Sequence, residues 1–244
     1  MDKMKIFIII LILLLVLLIA IYFIVGNYFY NIALSTKTSK AFVLGEDANE
    51  VEEQEEKGEE KVDWLSQNSK DVYITATNNG NLKLHAYEIT NKQSTDIWAI
   101  VIHGYSGEGK GMTYFAQQFY NRGYNVLLVD LRGHGQSEGN YIGMGWHDRL
   151  DIIDWANYLI AQNPNCKIIL HGVSMGGATV MMATGENLPE NIKVAIEDCG
   201  YSSIWDEFKR QLIDLYNLPE FPVLMLQVQC ASIKQATKLK KAQL

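Results

Sequence analysis

The sequence predicts an α/β fold, with a mostly parallel sheet between two layers of helices and one transmembrane helix near the N-terminus. Two observations carry this prediction. Apolar strand-like segments alternate with helix-like segments in the second part of the chain, and a long uncharged apolar run stands near its start. We expect four parts, which are a cytoplasmic N-terminus (1–5), a transmembrane anchor (6–25), an acidic disordered linker (26–62) and an α/β domain (63–244).

The anchor prediction rests on the unbroken apolar run from Ile6 to Val25. Twenty residues in a helix span about 30 Å, the thickness of a bilayer's hydrocarbon core. A cleavable signal peptide is the alternative, but its apolar stretch is shorter, about 7–15 residues, and a small-residue cleavage site follows it. Lys3 and Lys5 precede the run, and the next basic residue is Lys37. Positive flanks stay cytoplasmic, so we expect the domain to lie outside the cytoplasm, on the cell membrane.

The net charge of −7 comes from one segment, Glu46 to Lys61, which holds nine acidic residues and two lysines. The rest of the chain contains 19 acidic and 19 basic residues. Such a self-repelling segment is typical of a disordered spacer, and a cation-binding tail is the alternative. The chain shows no basic patch for nucleic acid. Its three cysteines lack the spacing of a metal site, and we expect no cofactor or metal.

Buried strands and amphipathic helices are predicted along the domain from their apolar periodicity. Asn79-Gly80 indicates a hairpin that joins two strands within 71–90. Further strands are expected in DIWAIVIHG, NVLLVD, CKIILHGVS and NIKVAIEDCG, and helices in GMTYFAQQFY, HDRLDIIDWANYLIAQ, GGATVMMATG and the C-terminal CASIKQATKLKK. A further helix, about 203–217, carries an apolar stripe that is either core or a cap over a site.

The chemistry is indicated by Gly172-Val173-Ser174-Met175-Gly176, a G-x-S-x-G pattern between a strand and a helix. In that position a sharp turn lifts the serine hydroxyl above the sheet, and glycines are needed because a Cβ would collide in the turn. The N-terminus of the following helix would direct its N–H groups and positive dipole end at a developing oxyanion. An ordinary turn serine is the alternative reading of the pattern.

Four motifs in order, HGYSG at 103–107, DLRGHGQSEG at 130–139, GVSMGG at 172–177 and EDCGYSS at 197–203, resemble the α/β-hydrolase superfamily. The similarity is specifically to membrane-anchored, S33 serine aminopeptidase-like hydrolases of Gram-positive bacteria. The resemblance implies an α/β-hydrolase three-layer sandwich with Ser174 as the nucleophile. It also implies an oxyanion hole made by the backbone N–H groups of Tyr105 and Met175. His134 and His171 are expected to be structural, and Asp130 to support a loop beside the site.

One departure from the family concerns the rest of its triad, in which an acid and then a histidine follow the serine along the chain. The five histidines of this sequence all precede Ser174, and the seventh and eighth strands of the family, which carry the acid and the histidine, are absent. The resemblance therefore implies a C-terminally truncated domain that lacks the last strands. Asp198, at the end of the sixth strand, is a candidate acid, and His147 could approach the site only from a loop.

Two hypotheses follow from these residues. The first is a membrane-anchored serine hydrolase that cleaves a small ester or amide through an acyl-serine intermediate. Whether the substrate is lipid-like or a peptide is left open. Its partners would be that substrate and the lipid bilayer, with no nucleic acid. The second is a catalytically inactive remnant or a tethered binding module, which is favoured by the missing acid and histidine.

Overall fold

A computed structural model of the chain describes residues 3–38, 40, 64–78 and 80–242. It contains two compact units, one formed by Ser39–Ile204 and one by Met1–Thr38 together with Trp205–Leu244. Most of the expected acidic linker, residues 39 and 41–62, and the hairpin residue Asn79 lie outside the described residues. The two units are described separately below.

The larger unit is built on a six-stranded mixed sheet with the order β1-β2-β4-β3-β5-β6. The first two strands pair antiparallel, as expected for a hairpin, and β2 pairs antiparallel with β4. The remaining pairs, β4 with β3, β3 with β5 and β5 with β6, are parallel. The strands are β1 Lys70–Thr75, β2 Lys83–Ile89, β3 Ile97–Ile102, β4 Asn125–Val129, β5 Lys167–Val173 and β6 Ile192–Asp198.

Helices cover the central strands, as the continuous apolar runs of those strands predict. All five positions of β4 are buried, which requires cover on both faces of the sheet. One face packs Ala99, Val101, Val126 and Leu128 against Ala116 of the α-helix that follows β3. Besides the short helical stretch 64–68, the helical segments are a 3₁₀ turn Gly109–Met112, α2 Thr113–Tyr120, α3 Asp148–Gln162 and α4 Met175–Thr184, where α1 is the N-terminal helix described below. The predicted α/β fold class is confirmed.

The smaller unit contains three helices, α1 Lys3–Leu34, α5 Ile204–Tyr216 and α6 Glu220–Ala242. The first is long and apolar enough to cross a membrane, which fits either an anchor or a signal sequence. It continues nine residues beyond the predicted span of 6–25, so the first residues of the expected linker are helical.

The apolar stripe of α5 belongs to a core within this smaller unit. Leu212 packs with Phe29 of α1 and with Leu224 of α6, and Phe208 and Tyr216 lie against the same cluster. These contacts support the core interpretation for that part of the stripe.

Candidate active site

The turn between β5 and α4 consists of one residue, Ser174. Its backbone has φ +55° and ψ −115°, a region that costs a residue with a side chain about 1–3 kcal/mol. The residue is exposed, while Met175 beside it is fully buried. This is the geometry that the G-x-S-x-G pattern predicts.

The two outer glycines of the pattern are required by close main-chain packing. A Cβ on Gly172 would stand 2.1 Å from the carbonyl oxygen of Gly176, and a Cβ on Gly176 would stand 2.2 Å from that of Ile102. No side chain fits at either distance, because both obstacles are main-chain atoms. The turn can therefore be this tight only with glycine at both positions.

The loop after β3 passes directly beside the elbow serine. A Cβ built on Gly104 would lie 3.4 Å from Ser174 Cβ and 3.3 Å from the carbonyl oxygen of Val173. The glycine thus lets the main chain that leads to Tyr105 approach the serine. On the other side of Ser174, Met175 is the first residue of α4, where backbone N–H groups have no partner inside the helix.

The main chain of Ser174 is itself fixed by two hydrogen bonds. Its N–H donates to the carbonyl oxygen of Asp198 over 2.7 Å, and its carbonyl oxygen accepts from the N–H of Ala178 over 2.9 Å. The first bond ties the elbow to the end of β6 and the second begins the hydrogen-bonding of α4. The candidate acid Asp198 therefore contacts the elbow through its main chain, while its carboxylate accepts a hydrogen bond from the Cys199 thiol at 3.1 Å.

His103 holds the loop beside the serine. The buried ring accepts a hydrogen bond at Nε2 from the N–H of Leu131 (3.0 Å), so Nδ1 carries the proton and donates to the carbonyl oxygen of Gly104 (2.8 Å). Burial, helped by the nearby ring of His134, lowers the pKa of His103 to about 4, so the imidazole is neutral at pH 7. The ring thereby links the loop after β3 to the loop after β4.

The buried carboxylate of Asp130 hydrogen-bonds to the same two loops, the one after β3 and the one after β4. Asp130 accepts hydrogen bonds from the N–H of Gly109 (2.6 Å), the N–H of Gln136 (2.9 Å) and Nδ1 of His85 (2.7 Å). Burial opposes its charge, but these hydrogen bonds, that of His85 first, hold the pKa of Asp130 below its ordinary value. The expectation that Asp130 supports a loop agrees with these contacts.

His85 is a member of this network that sequence reasoning missed. Its second ring nitrogen, Nε2, lies 2.9 Å from Oδ1 of Asp71. Burial disfavours the imidazolium, yet the hydrogen bonds to Asp130 and Asp71 outweigh it and raise the pKa of His85. No local motif marks the pair, since Asp71 and His85 become diagonal neighbours only after β1 and β2 have paired.

The remaining histidines are held by other groups. His134 Nδ1 lies 3.1 Å from the carbonyl oxygen of Arg132, and His147 Nδ1 lies 2.6 Å from the hydroxyl of Tyr141. The ring of His171 packs against aromatic side chains of α2. Burial lowers the pKa of all three, that of His147 to about 4.

The elbow hydroxyl has no partner among the residues that the structure describes. All five histidines of the sequence are within that part of the chain, and none forms a hydrogen bond with Ser174 Oγ. The structure thus brings together the serine, the Gly104–Tyr105 main chain and the start of α4. It does not bring an imidazole or a carboxylate to the same hydroxyl.

Comparison with known proteins identifies relatives that are similar in sequence. The chain is 28% identical over 126 residues to YqkD of Bacillus subtilis, which covers 51% of this chain and 41% of the relative. It is 31% identical over 113 residues to the 2-succinyl-6-hydroxy-2,4-cyclohexadiene-1-carboxylate synthase of Citrobacter koseri, covering 46% of this chain and 42% of the relative. The chain therefore spans about two fifths of the length of these two curated relatives.

A solved structure and a family description agree with this similarity. The Pyrococcus furiosus esterase Pf2001 is 27% identical, with a TM-score of 0.56 over 67% of this chain and 63% of the esterase. The family model described as "Serine aminopeptidase, S33" matches residues 93–226, which is more than half of the chain. The chain belongs to the S33 serine aminopeptidase family of α/β hydrolases.

Proposed function

We propose that this protein is a serine hydrolase that cleaves a small ester or amide through an acyl intermediate on Ser174. The observation that carries the proposal is the elbow itself, with an exposed serine at φ +55° directly before α4. The Gly104 main chain beside it gives the second side of an oxyanion site. An ordinary turn serine needs neither the strained backbone nor the two close glycine contacts.

In the proposed reaction, Ser174 Oγ attacks the substrate carbonyl carbon, and the carbonyl oxygen becomes an oxyanion. The N–H groups of Met175 and Tyr105 donate to that oxygen, and losing one such donor elsewhere costs about 10²–10³ in rate. The bond to the leaving group then breaks and the acyl-serine remains. The proton of the serine hydroxyl must pass to a base and from there to the leaving group, and water later hydrolyses the acyl bond.

The base is the part of the proposal for which this chain offers no residue. Four of the five imidazoles form hydrogen bonds with other groups, and the ring of His171 packs against aromatic side chains of α2. We infer that none of these histidines accepts the proton, so the 244-residue chain by itself turns over slowly. Residual catalysis by an oxyanion hole and binding alone reaches about 10³–10⁴ over water in triad-deleted serine hydrolases. A non-catalytic, tethered binding module is the second candidate, favoured by the same lack of an imidazole.

The proposal includes anchoring by α1, with the N-terminus in the cytoplasm and the hydrolase unit on the other side of the membrane. Support comes from the length and apolar character of α1 and from the lysines that precede it. In intact cells that express the chain, a membrane-impermeant maleimide should label the exposed thiol of Cys199. Labelling only after the cells are lysed would reject this orientation.

The assignment of Ser174 is tested by covalent labelling of the purified chain with a fluorophosphonate probe and peptide mass spectrometry. We expect one slow adduct, on the peptide that contains Ser174, and none in Ser174→Ala. A suitable control is Ser94→Ala, because Ser94 is also exposed but precedes β3, at the opposite edge of the sheet. This variant should label like the unmodified chain. Equal labelling of Ser174→Ala and the unmodified chain would reject the proposed nucleophile.

A further inference from the structure

Three residues other than glycine have a left-handed backbone conformation beside α4. They are Ser174 at φ +55°, Cys199 at φ +56° and Met144 at φ +53°. This conformation costs free energy in a residue with a side chain, and it persists only where neighbouring contacts fix it. The contacts around Met144 and Cys199 therefore show how the main chain near the elbow is held.

Met144 lies in the loop between β4 and α3, and this loop packs along one side of α4. A Cβ on Gly145 would stand 3.1 Å from Oγ1 of Thr179 and 3.2 Å from Sδ of Met182, so the main chain of the loop lies directly against the helix. The N–H of Gly145 donates to Oδ2 of the fully buried Asp148 over 3.0 Å. The Asp148 carboxylate thus fixes the main chain on one side of Met144.

The segment after β6 packs against the first turn of the same helix. A Cβ on Gly200 would stand 2.7 Å from the backbone nitrogen of Ala178 and 2.8 Å from the carbonyl carbon of Gly177. Two residues earlier, the carbonyl oxygen of Asp198 accepts the hydrogen bond from the N–H of Ser174 over 2.7 Å. This segment therefore contacts both the elbow and the start of α4.

A side-chain hydrogen bond joins these two segments. The hydroxyl of Tyr201 donates to the carbonyl oxygen of Met144 over 3.0 Å, across 57 positions of sequence. Tyr201 is half-buried and Met144 is 5% exposed, so the bond lies largely out of water. It completes a ring of contacts that runs from α4 to Gly145 and Met144, on to Tyr201 and Gly200, and back to α4.

We propose that Tyr201 is a positioning residue for the nucleophile, because its hydroxyl closes this ring and so holds the carbonyl oxygen of Asp198 against the N–H of Ser174. The inference rests on the proposed function, since it concerns the geometry of the serine and of the Met175 N–H. Without the bond, the segment that contains the left-handed Cys199 loses a contact that fixes it, and the elbow main chain relaxes. The serine hydroxyl and the oxyanion donor then occupy the geometry for attack less often.

The substitution Tyr201→Phe tests this role, because it removes the hydroxyl and keeps the ring. The matched control is Tyr158→Phe, which removes another half-buried hydroxyl, one that donates to Oε2 of Glu88 over 2.6 Å. Glu88 lies on β2, which β4 and β3 separate from β5 and the elbow. A hydrogen bond to a carboxylate is stronger than one to a carbonyl oxygen, so the control loses at least as much stability as the test variant.

The first measurement is hydrogen exchange of the purified full chain in detergent, followed by mass spectrometry of peptides that span residues 172–178. These peptides contain the Ser174 N–H, which its hydrogen bond to Asp198 protects from exchange. We expect them to exchange roughly fivefold faster in Tyr201→Phe than in the unmodified chain, and at the unmodified rate in Tyr158→Phe. Unchanged exchange in Tyr201→Phe, or equal acceleration in both variants, would overturn the proposal.

The second measurement is the rate at which a fluorophosphonate probe labels Ser174 over a range of probe concentrations. In Tyr201→Phe the limiting rate should fall about tenfold, while the concentration that gives half of it changes by less than about twofold, because the bond orients the reacting groups and does not bind the probe. Tyr158→Phe should label like the unmodified chain. An unchanged limiting rate in Tyr201→Phe would contradict the positioning role. If none of the three chains forms a Ser174 adduct, the proposed nucleophile itself fails, and with it the role of Tyr201 in the reaction.

Discussion

The substitution Asp130→Asn tests the network that supports the loops around the elbow. The Asp130 carboxylate is 1% exposed and accepts three hydrogen bonds, two at Oδ2 from His85 and Gln136 and one at Oδ1 from Gly109. An asparagine keeps the shape but replaces one acceptor oxygen by an NH₂ donor. At least one of the three donors then faces another donor, and His85 loses the buried carboxylate that raises its pKa.

The expected loss of stability follows from these contacts. Breaking a buried ion pair by removing one partner costs about 3–5 kcal/mol, and a single hydrogen bond to a charged group contributes about 1.5–3 kcal/mol. We therefore expect Asp130→Asn to lower the free energy of unfolding by about 3–5 kcal/mol. With a urea m-value of about 2 kcal/mol/M, the unfolding midpoint falls by roughly 1.5–2.5 M.

The assay is urea unfolding of the full chain in detergent at pH 7, followed by tryptophan fluorescence. Asp71→Asn serves as the control, since it changes the other carboxylate beside His85, whose side chain is 56% exposed. Exposed pairs contribute about 0.2–1 kcal/mol, so this control should shift the midpoint little. If Asp130→Asn and Asp71→Asn cost the same, within about 1 kcal/mol, Asp130 does not organise the loops as described.

The pH dependence of stability supplies a second readout of the same network. The raised pKa of His85 means that its contribution is full below pH 6.5 and is lost as the pH rises through the folded-state pKa. The lowered pKa of Asp130 means that its contribution is present above its ordinary pKa and is lost as the pH falls further. Asp130→Asn should flatten both limbs of the curve of unfolding free energy against pH.

Three further predictions concern other positions. Burial, together with nearby negative charge, raises the pKa of Asp148 to about 7, so wild-type stability should fall as the pH rises from about 4 to 7. Asp148→Asn should remove that fall and stabilise the chain at pH 8 by on the order of 2–4 kcal/mol in urea unfolding; a pH profile identical to wild type would contradict the shifted pKa. Gly176→Ala places its Cβ 2.2 Å from a main-chain oxygen of β3 and should cost about 3 kcal/mol, whereas Gly111→Ala, with no atom within 4 Å, should cost less than about 0.5 kcal/mol. Equal midpoints for these two variants would show that the elbow is not packed as described. His103→Leu removes the link between the two loops beside the site and should slow fluorophosphonate labelling of Ser174 by about tenfold; unchanged labelling would exclude a positioning role for this ring.

The elements of the fold were predictable because each rests on a local pattern. The strand β4 appears in the sequence as an apolar run, and the turn at Ser174 as a serine between glycines. The physical reason for those glycines is local, since a Cβ on Gly172 would collide with an atom four residues further along the chain. Such short-range constraints can be predicted from the sequence, because the residues that they require stand close together in it.

Other features of the structure depend on contacts between residues that are distant in the sequence, and no local sequence pattern predicts them. His85 meets Asp130 across 45 positions of sequence, and the hydrogen bond that raises the pKa of His85 forms only when both side chains are buried together. The raised pKa of Asp148 also results from packing, because its side chain is ionisable yet fully buried.

The most direct test of the central claim is the pH dependence of turnover that requires Ser174. The claim is that the serine is positioned for attack, while no imidazole of these 244 residues accepts its proton. Hydrolysis of p-nitrophenyl acetate is measured from pH 5.5 to 8.5, with the rate of Ser174→Ala subtracted at each pH. We predict a small difference whose logarithm rises with a slope of about one and without inflection, because hydroxide rather than a histidine removes the proton. A rate that levels off with an inflection near pH 6.5, or no difference from Ser174→Ala, would contradict the account.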